Sequence, residues 1–514
     1  MGAFPFNSDE AIVGLMARHI LSGDRPIYFY GQAYMGSLDA FLVAVGFSIF
    51  GQQVWIIRLV QILLYMATII TTVWIGEELF NSRKAGIIAG FLLIVPTVNV
   101  TLYTTVSLGG YGEALLIGNL IFFTGLKLIK VSRVSDGLTR KHAFLLISWG
   151  LITGIGMWTH GITLVYCIPV GIVLVNRLVQ FVRSNFLQSM SFMMMICIGI
   201  LIGIIPIILY VINNGLFQWI SELSGSAVAV EQTTFMSRSF MHIISFLLIG
   251  LPVIAGIRAP WEINWLIWPM IIFIVIIWIG IITLWIRNYP KNKDGRTGYW
   301  LLNSIAIILV LVFILTPFGA DPSGRYFLPL SIVFSLVGGY TLATLIKSGF
   351  WQFSVVFILL SYNLIATLDC ANRNPPGLTT QFDISTAIDH QYDGALIHFL
   401  AENHANYGYT NYWISYPLAF LTREEMIYVP KLPYHQDLRY TPRDNRYPIY
   451  DILVENSEHV NYISALNPAL DETIRDGFSK LRISWQEKII GDYQIFYNLS
   501  EPISPEQIGF GGLR

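Results

Sequence analysis

Two adjacent carboxylates stand near the start of this sequence, in Asn7-Ser8-Asp9-Glu10-Ala11, within a chain that is otherwise mostly hydrocarbon. A carboxylate at a membrane surface can take a proton from a hydroxyl group, and such general-base assistance is worth about 10²–10⁴ in rate. A helix-like run follows from Ala11 to Leu21. Behind it comes an aromatic, glycine-containing loop, Ile27-Tyr28-Phe29-Tyr30-Gly31-Gln32-Ala33-Tyr34-Met35-Gly36-Ser37-Leu38-Asp39. A purely structural membrane segment has no need of such a loop, whereas a site that handles a polar substrate does. Neighbouring residues on a helix point about 100° apart. Asp9 and Glu10 are therefore expected to divide their work, one facing a reaction centre and the other fixing the loop or capping the helix. The plainer alternative is that Ser8 or Asp9 simply caps a helix beginning near Ala11.

Three further stretches carry polar chemistry. Glu113 follows Ser107-Leu108-Gly109-Gly110-Tyr111-Gly112, whose glycines let the backbone bend towards a ligand; it also suits the favourable dipole at a helix start. His160, in Trp158-Thr159-His160, is placed to bind a phosphate, to orient a carboxylate, or merely to close a helix end. Arg325-Tyr326 follows Phe318-Gly319-Ala320-Asp321-Pro322-Ser323-Gly324. A guanidinium there suits two-point capture of a phosphate, although Arg and Tyr also serve as interfacial anchors.

The elements that must position these residues are membrane helices. The 514-residue chain is 54% hydrophobic and 12% charged, against about 25% charged in soluble proteins. Apolar runs at about 55–76, 84–102, 113–130, 143–158, 161–176, 191–213, 265–287, 299–317, 325–345 and 350–367 predict a polytopic α-helical protein of about 10–12 membrane segments. The apolar segments 37–51 and 238–257 are expected to be re-entrant or interfacial. Basic loops containing Arg83 and Lys84, Lys127 to Lys141, Arg177 and Arg183, and Arg287 to Arg296 are expected in the cytoplasm, and the loops that alternate with them outside. On this assignment Asp9, Glu10, Asp24, Asp39, Glu113, Glu222, Glu231, Glu262 and Asp321 form an acid-rich outer face, with His160 and Arg325 at its rim. Residues 1–54 become an outer loop with juxtamembrane helices, and 55–370 a transmembrane domain with an outer excursion at 214–264. Residues 371–514 become an extracytoplasmic domain of small α/β type, with a helix near Gly394–His404 and strands at Ile452–Glu455 and Tyr493–Tyr497.

Charge supports the last division. Residues 1–372 hold 20 basic and 14 acidic side chains, and residues 373–514 hold 11 and 18. Three cysteines are too few for a disulfide framework, and no signal-peptide pattern opens the chain. The absence of a P-loop, a GxSxG motif and any clustered Cys/His motif argues against a nucleotide-driven pump and a cysteine-ligated zinc enzyme. Without a basic excess, nucleic acid is not an expected partner.

Taken together, the Asp9-Glu10 pair, the Gly31-Gln32-x-Tyr34-x-Gly36 loop, Phe50-Gly51 before Arg58, and Arg325-Tyr326-Phe327-Leu328-Pro329-Leu330 resemble the GT-C membrane glycosyltransferases. The nearest branch is the bacterial dolichyl-phosphate-mannose mannosyltransferase-like proteins, related to the aminoarabinose transferases. The likeness covers roughly residues 7–370, together with the idea of an outer C-terminal domain. It implies inverting transfer of a sugar from a polyprenyl-phosphate donor to a glycan, lipid or protein acceptor on the outer face of the plasma or inner membrane. It maps a catalytic acid to Asp9, with Glu10 beside it, and a second acid to Glu113. Substrate contacts map to Arg325, Tyr326, His160, Gln32 and Tyr34. No metal site is implied with certainty, although paired acids could hold Mg²⁺ or Mn²⁺. Family members carry a transmembrane helix ahead of the Asp-Glu pair, whereas eight residues precede Asp9 here, so that helix is expected to be missing from this start. The competing reading is a transporter or lipid flippase without covalent chemistry. Transporters place charge near the bilayer midplane and show inverted repeats, and these spans show neither.

Overall fold

Long apolar runs have one way to satisfy their backbone in lipid, which is to hydrogen-bond internally as helices. The computed structural model describes residues 3–131, 140–182, 186–224, 234–290, 293–373, 377–381 and 383–510. Arg133, Arg183, Lys291 and Glu231, used above for orientation and for the acidic face, lie outside the described residues. Among the described residues, 8 helices are long and apolar enough to cross a membrane: Val54–Phe80, Tyr111–Lys130, His142–Thr159, Phe235–Ile254, Trp268–Arg287, Gly295–Leu315, Arg325–Leu345 and Gly349–Asn372. The protein is thus a polytopic α-helical membrane protein.

Two of the expected spans are broken. Residues 84–102 form Arg83–Ile94 and Val98–Thr105, bent by 80°. Pro96 lies in the gap and cannot continue the hydrogen-bond ladder; Asn363 Nδ2 donates to the freed Val95 carbonyl at 2.9 Å. Residues 191–213 form Ser189–Gly203 and Ile205–Asn214, bent by 58° ahead of Pro206. The segment 238–257, expected to be re-entrant or interfacial, lies largely within the 20-residue helix Phe235–Ile254. The segment 37–51 forms Leu38–Phe50, 13 residues, about 20 Å at 1.5 Å per residue, which is shorter than the hydrocarbon core.

The chain divides into two compact units: residues 1–32, 40–57 and 370–514 form one, and residues 33–39 with 58–369 form the other. In the first unit, a five-stranded mixed sheet runs Ile427–Val429, Tyr407–Tyr409, Asn461–Ala465, Tyr493–Tyr497 and Gln486–Ile490. The first three strands are parallel and the rest antiparallel. Helices Asp393–Glu402, Tyr412–Leu421, Ile449–Glu455 and Pro468–Lys480 complete the α/β domain. Ile452–Glu455, expected as a strand, is helical; Ile452 and Leu453 are exposed and Val454 is buried, so the run has no buried alternate face to hold it in a sheet. The same unit contains the N-terminal helix Ser8–Ser22, packed on Tyr412–Leu421. Gly14 permits that approach, since a Cβ there would stand 2.6 Å from Phe420 Cε2. Arg18 covers the Phe420 ring at 4.8 Å and donates to its carbonyl at 3.2 Å.

Candidate functional site

In the second unit the candidate side chains sit at helix ends and in the turns between them. Gly109 and Gly110 adopt φ of 76° and 102°, a conformation costly for any other residue type, and the helix Tyr111–Val131 starts immediately after them. That turn sets Glu113 in the first helical turn, where it is 1% exposed. Neither carboxylate oxygen completes a hydrogen bond, although the backbone N–H groups of Asp39 and of Glu113 itself point towards them.

Asp39 is the charged neighbour of Glu113. Its oxygens are both engaged: Gln61 Nε2 donates to Oδ1 at 2.8 Å and Ser107 Oγ donates to Oδ2. Burial pushes the Asp39 carboxyl up to about 6, while the Ser107 and Gln61 hydrogen bonds pull the other way.

His160 follows the helix that ends at Thr159 and forms an isolated antiparallel bridge with Met35. Its Nδ1 accepts from the Ile162 N–H at 3.1 Å, so the ring proton resides on Nε2. Burial, reinforced by the positive charge of Arg325, pushes the imidazole down to about 4. His160 is therefore neutral near pH 7 and presents a buried Nε2–H donor that has no partner. Tyr111 packs on the imidazole with ring centres 4.9 Å apart, and Tyr103 packs on Tyr111 at 5.5 Å.

Arg325 and Tyr326 start the helical segment Arg325–Leu345. Arg325 is ion-paired with Asp321, one helical turn before it, and Asp321 Oδ1 also accepts from the Ser323 N–H at 2.9 Å. The guanidinium lies 5.1 Å from the Tyr326 ring centre. Arg325 Nε and the Tyr326 hydroxyl are both buried without a hydrogen-bond partner. Tyr34 is buried and meets Phe318 edge-on at 6.5 Å, and Phe318 meets Tyr326 at 5.1 Å. Glu113, His160, Arg325, Tyr326 and Tyr34 thus all belong to one unit. Glu113, His160, Arg325 and Tyr326 each bury a polar atom without a hydrogen-bond partner, a state that calls for a physical reason.

Asp9, Glu10 and Gln32 belong to the other unit. The helix cap is Asn7, not Ser8 or Asp9, and the helix begins at Ser8 rather than near Ala11: Asn7 Oδ1 accepts from the Glu10 N–H at 3.0 Å. Freed from capping, Asp9 Oδ1 accepts from the Tyr412 hydroxyl at 2.5 Å. Glu10 is fully buried and Asp9 is half-buried. Gln32, with its amide oxygen turned to Arg446, accepts from Nη1 and Nη2 at 2.5 and 2.7 Å.

Asp39, Gln61, Ser107, Tyr412 and Arg446 were not among the expected site residues. Gln61 had a readable signal, a polar side chain near the start of an apolar span. Tyr412 and Arg446 had none, being hundreds of residues from Asp9. Among the described residues no group of three or more His, Cys, Asp or Glu is arranged to hold a metal ion. For the expected Mg²⁺ or Mn²⁺, the Asp39–Glu113 carboxylate pair is a poor fit, because both Asp39 oxygens are already committed to Ser107 and Gln61.

The architecture is similar to that of ArnT from Cupriavidus metallidurans bound to undecaprenyl phosphate, with a TM-score of 0.58 at 12% sequence identity over 97% of this chain and 94% of that one. The two chains share a fold. The apo state of the same ArnT gives a TM-score of 0.57 at 12% identity, with the same coverage. The oligosaccharyltransferase AglB from Archaeoglobus fulgidus, in complex with an inhibitory peptide and a dolichol-phosphate, gives 0.48 at 11% identity over 89% of this chain and 65% of that one. No protein-family model and no curated protein matches the sequence.

Proposed function

We propose that the protein is an inverting glycosyltransferase that moves a sugar from a polyprenyl-phosphate donor to an acceptor hydroxyl at the outer face of the membrane, with residues 371–514 extracytoplasmic. One observation carries this reading. The second unit buries an unsatisfied carboxylate, Glu113, together with three unsatisfied donors, His160 Nε2–H, Arg325 Nε–H and the Tyr326 hydroxyl. Burying such groups without partners costs about 1–3 kcal/mol each, a cost that a bound anion and hydroxyl would remove. The ArnT of similar fold binds undecaprenyl phosphate, which is the ligand class those donors suit.

The chemistry balances without a further reactant. The acceptor oxygen bonds to the anomeric carbon as the bond from that carbon to the phosphate oxygen breaks. The bonding pair leaves with the polyprenyl phosphate. The acceptor proton passes to a carboxylate. Arg325, His160 and Tyr326 would stabilise the charge growing on the phosphate, a role for pre-aimed donors in a dry site. Asp9 is the proposed proton acceptor, as the family resemblance implies, and Glu113 is proposed to bind the acceptor hydroxyl.

The test is transfer of labelled sugar from a panel of polyprenyl-phosphate sugars, using membranes that contain the wild-type chain, Asp9→Asn or Glu113→Gln. Transfer that falls by about 10²-fold or more in Asp9→Asn supports the assignment. A folded wild-type protein that transfers nothing from any donor favours the transporter or flippase reading.

A further inference from the structure

We propose that Tyr412 and Arg446, from the C-terminal part of the chain, are positioning residues for Asp9: Tyr412 occupies its Oδ1, Arg446 holds the Tyr412 ring, and Oδ2 is left as the oxygen that takes the proton. The inference rests on the proton-accepting role proposed for Asp9. If it holds, residues 371–514 are part of the transfer machinery as well as a domain that could recognise an acceptor.

The arrangement begins at the first turn of the helix Tyr412–Leu421, capped by Asn411, whose Oδ1 accepts from the Trp413 N–H at 2.9 Å. Tyr412 is held at both ends by consecutive residues of the N-terminal helix. Ser8 Oγ donates to the Tyr412 carbonyl at 2.5 Å, and the Tyr412 hydroxyl donates to Asp9 Oδ1 at 2.5 Å. A tyrosine fixed at its backbone and at its hydroxyl leaves Asp9 little rotational freedom. Arg446 then fixes the ring. Its guanidinium lies 5.5 Å from the Tyr412 ring centre and is clasped by the Gln32 amide oxygen. Its backbone N–H donates to the Tyr416 hydroxyl at 2.6 Å, and that hydroxyl donates to the Asp444 carbonyl at 3.1 Å.

Charge agrees with geometry. Burial, aided by the negative charge of Asp9, holds the Tyr412 phenol well above its ordinary value, so it remains a donor at every working pH. Asp444 is buried, and burial pushes its carboxyl up to about 7, with Arg446 opposing and Asp9 adding to the rise. Tyr412 therefore lies within the fields of Asp9, Arg446 and Asp444, and the negative charge of Asp9 also reaches the buried phenol of Tyr434.

Tyr412→Phe removes the hydroxyl and keeps the ring on which Arg446 rests. In the full-length protein it should lower kcat by about 10–100-fold, as for loss of a hydrogen bond to a charged group, and leave the donor KM within about twofold. Combined with Asp9→Asn it should be no slower than Asp9→Asn alone, because both act on one proton transfer. Wild-type kcat in Tyr412→Phe, or losses that multiply in the double variant, would overturn the proposal. A second readout needs no donor. Carbodiimide labelling of Asp9, followed by peptide mass spectrometry with exposed Asp24 as reference, should be several-fold faster in Tyr412→Phe than in wild type. Equal labelling would sink the Tyr412 contact whatever the activity. If Asp9→Asn retains full transfer, the catalytic role of Asp9 fails instead, and labelling still reports on Tyr412.

Discussion

Gln61 donates from Nε2 to Asp39 Oδ1 at 2.8 Å, and this amide keeps a fully buried carboxylate in place beside Glu113. Gln61→Leu keeps much of the volume and removes the donor. The expected cost is about 1–3 kcal/mol, the penalty for leaving a buried acceptor unsatisfied. Ser107→Ala should cost a similar amount. Thermal unfolding in detergent checks both, and a change within error in both would make the pair of hydrogen bonds energetically idle.

Asp39 and His160 predict opposite pH dependences of stability. The folded Asp39 carboxyl is raised from 3.8 to about 6, so between those values the folded state binds more protons than the unfolded state, and stability falls as pH rises. The folded His160 imidazole is lowered from 6.5 to about 4, so stability is lost as pH falls through that window. Relative to wild type, Asp39→Asn should therefore gain stability as pH rises from 4 to 6. His160→Gln should gain as pH falls from 6.5 to 4. Melting temperatures of the three proteins over this range decide it; parallel curves would contradict both shifts.

Much of the membrane architecture was legible because apolar runs of helical length have few other solutions in lipid. The bends at Pro96 and Pro206 were visible as residues, but their 80° and 58° angles depend on neighbours such as Asn363 that only the fold brings near. Ile452–Glu455 departs from the strand its sequence suggests because a short Ile-Leu-Val run fits strand and helix alike. Among the candidate site residues, Glu113, His160 and Arg325 stand out in the sequence because charge and imidazole are expensive beside apolar spans. Their partners could not. Asp39 and Ser107 meet across 68 positions, and Asp9 and Tyr412 across 403, with no local pattern linking either pair.

Arg325 has a second duty that its variants should expose. It pairs with Asp321, and their side chains are 22% and 9% exposed. Asp321→Ala leaves the guanidinium buried without its counter-charge and is expected to cost about 3–5 kcal/mol. Arg325→Ala/Asp321→Ala should be more stable than Asp321→Ala alone, since the stranded charge is then gone. Unfolding midpoints of the three variants test this, and equal destabilisation would show that Asp321 does not neutralise Arg325.

Arg325→Lys should separate charge from geometry. Lysine retains the positive charge but lacks the Nε–H that is left without a partner in the wild type, and an ammonium cannot reproduce the planar guanidinium fork. Donor KM is expected to rise about 10-fold, corresponding to about 1.4 kcal/mol, with folding preserved. A lysine variant with wild-type KM would reduce Arg325 to an interfacial anchor.

The orientation proposed from the basic loops makes a topological prediction. With Cys167, Cys197 and Cys370 replaced, an Asp294→Cys variant should resist an impermeant thiol reagent in intact cells, and an Asp476→Cys variant should react. Residue 294 lies in the basic segment before the span Gly295–Leu315, while Asp476 is an exposed residue of the helix Pro468–Lys480. Lysine and arginine in short loops disfavour translocation, so residue 294 is expected on the cytoplasmic side and becomes reactive only after permeabilisation. Labelling of residue 294 in intact cells, with residue 476 silent, would invert the topology. It would place the C-terminal domain in the cytoplasm and remove the outer-face placement of the transfer reaction.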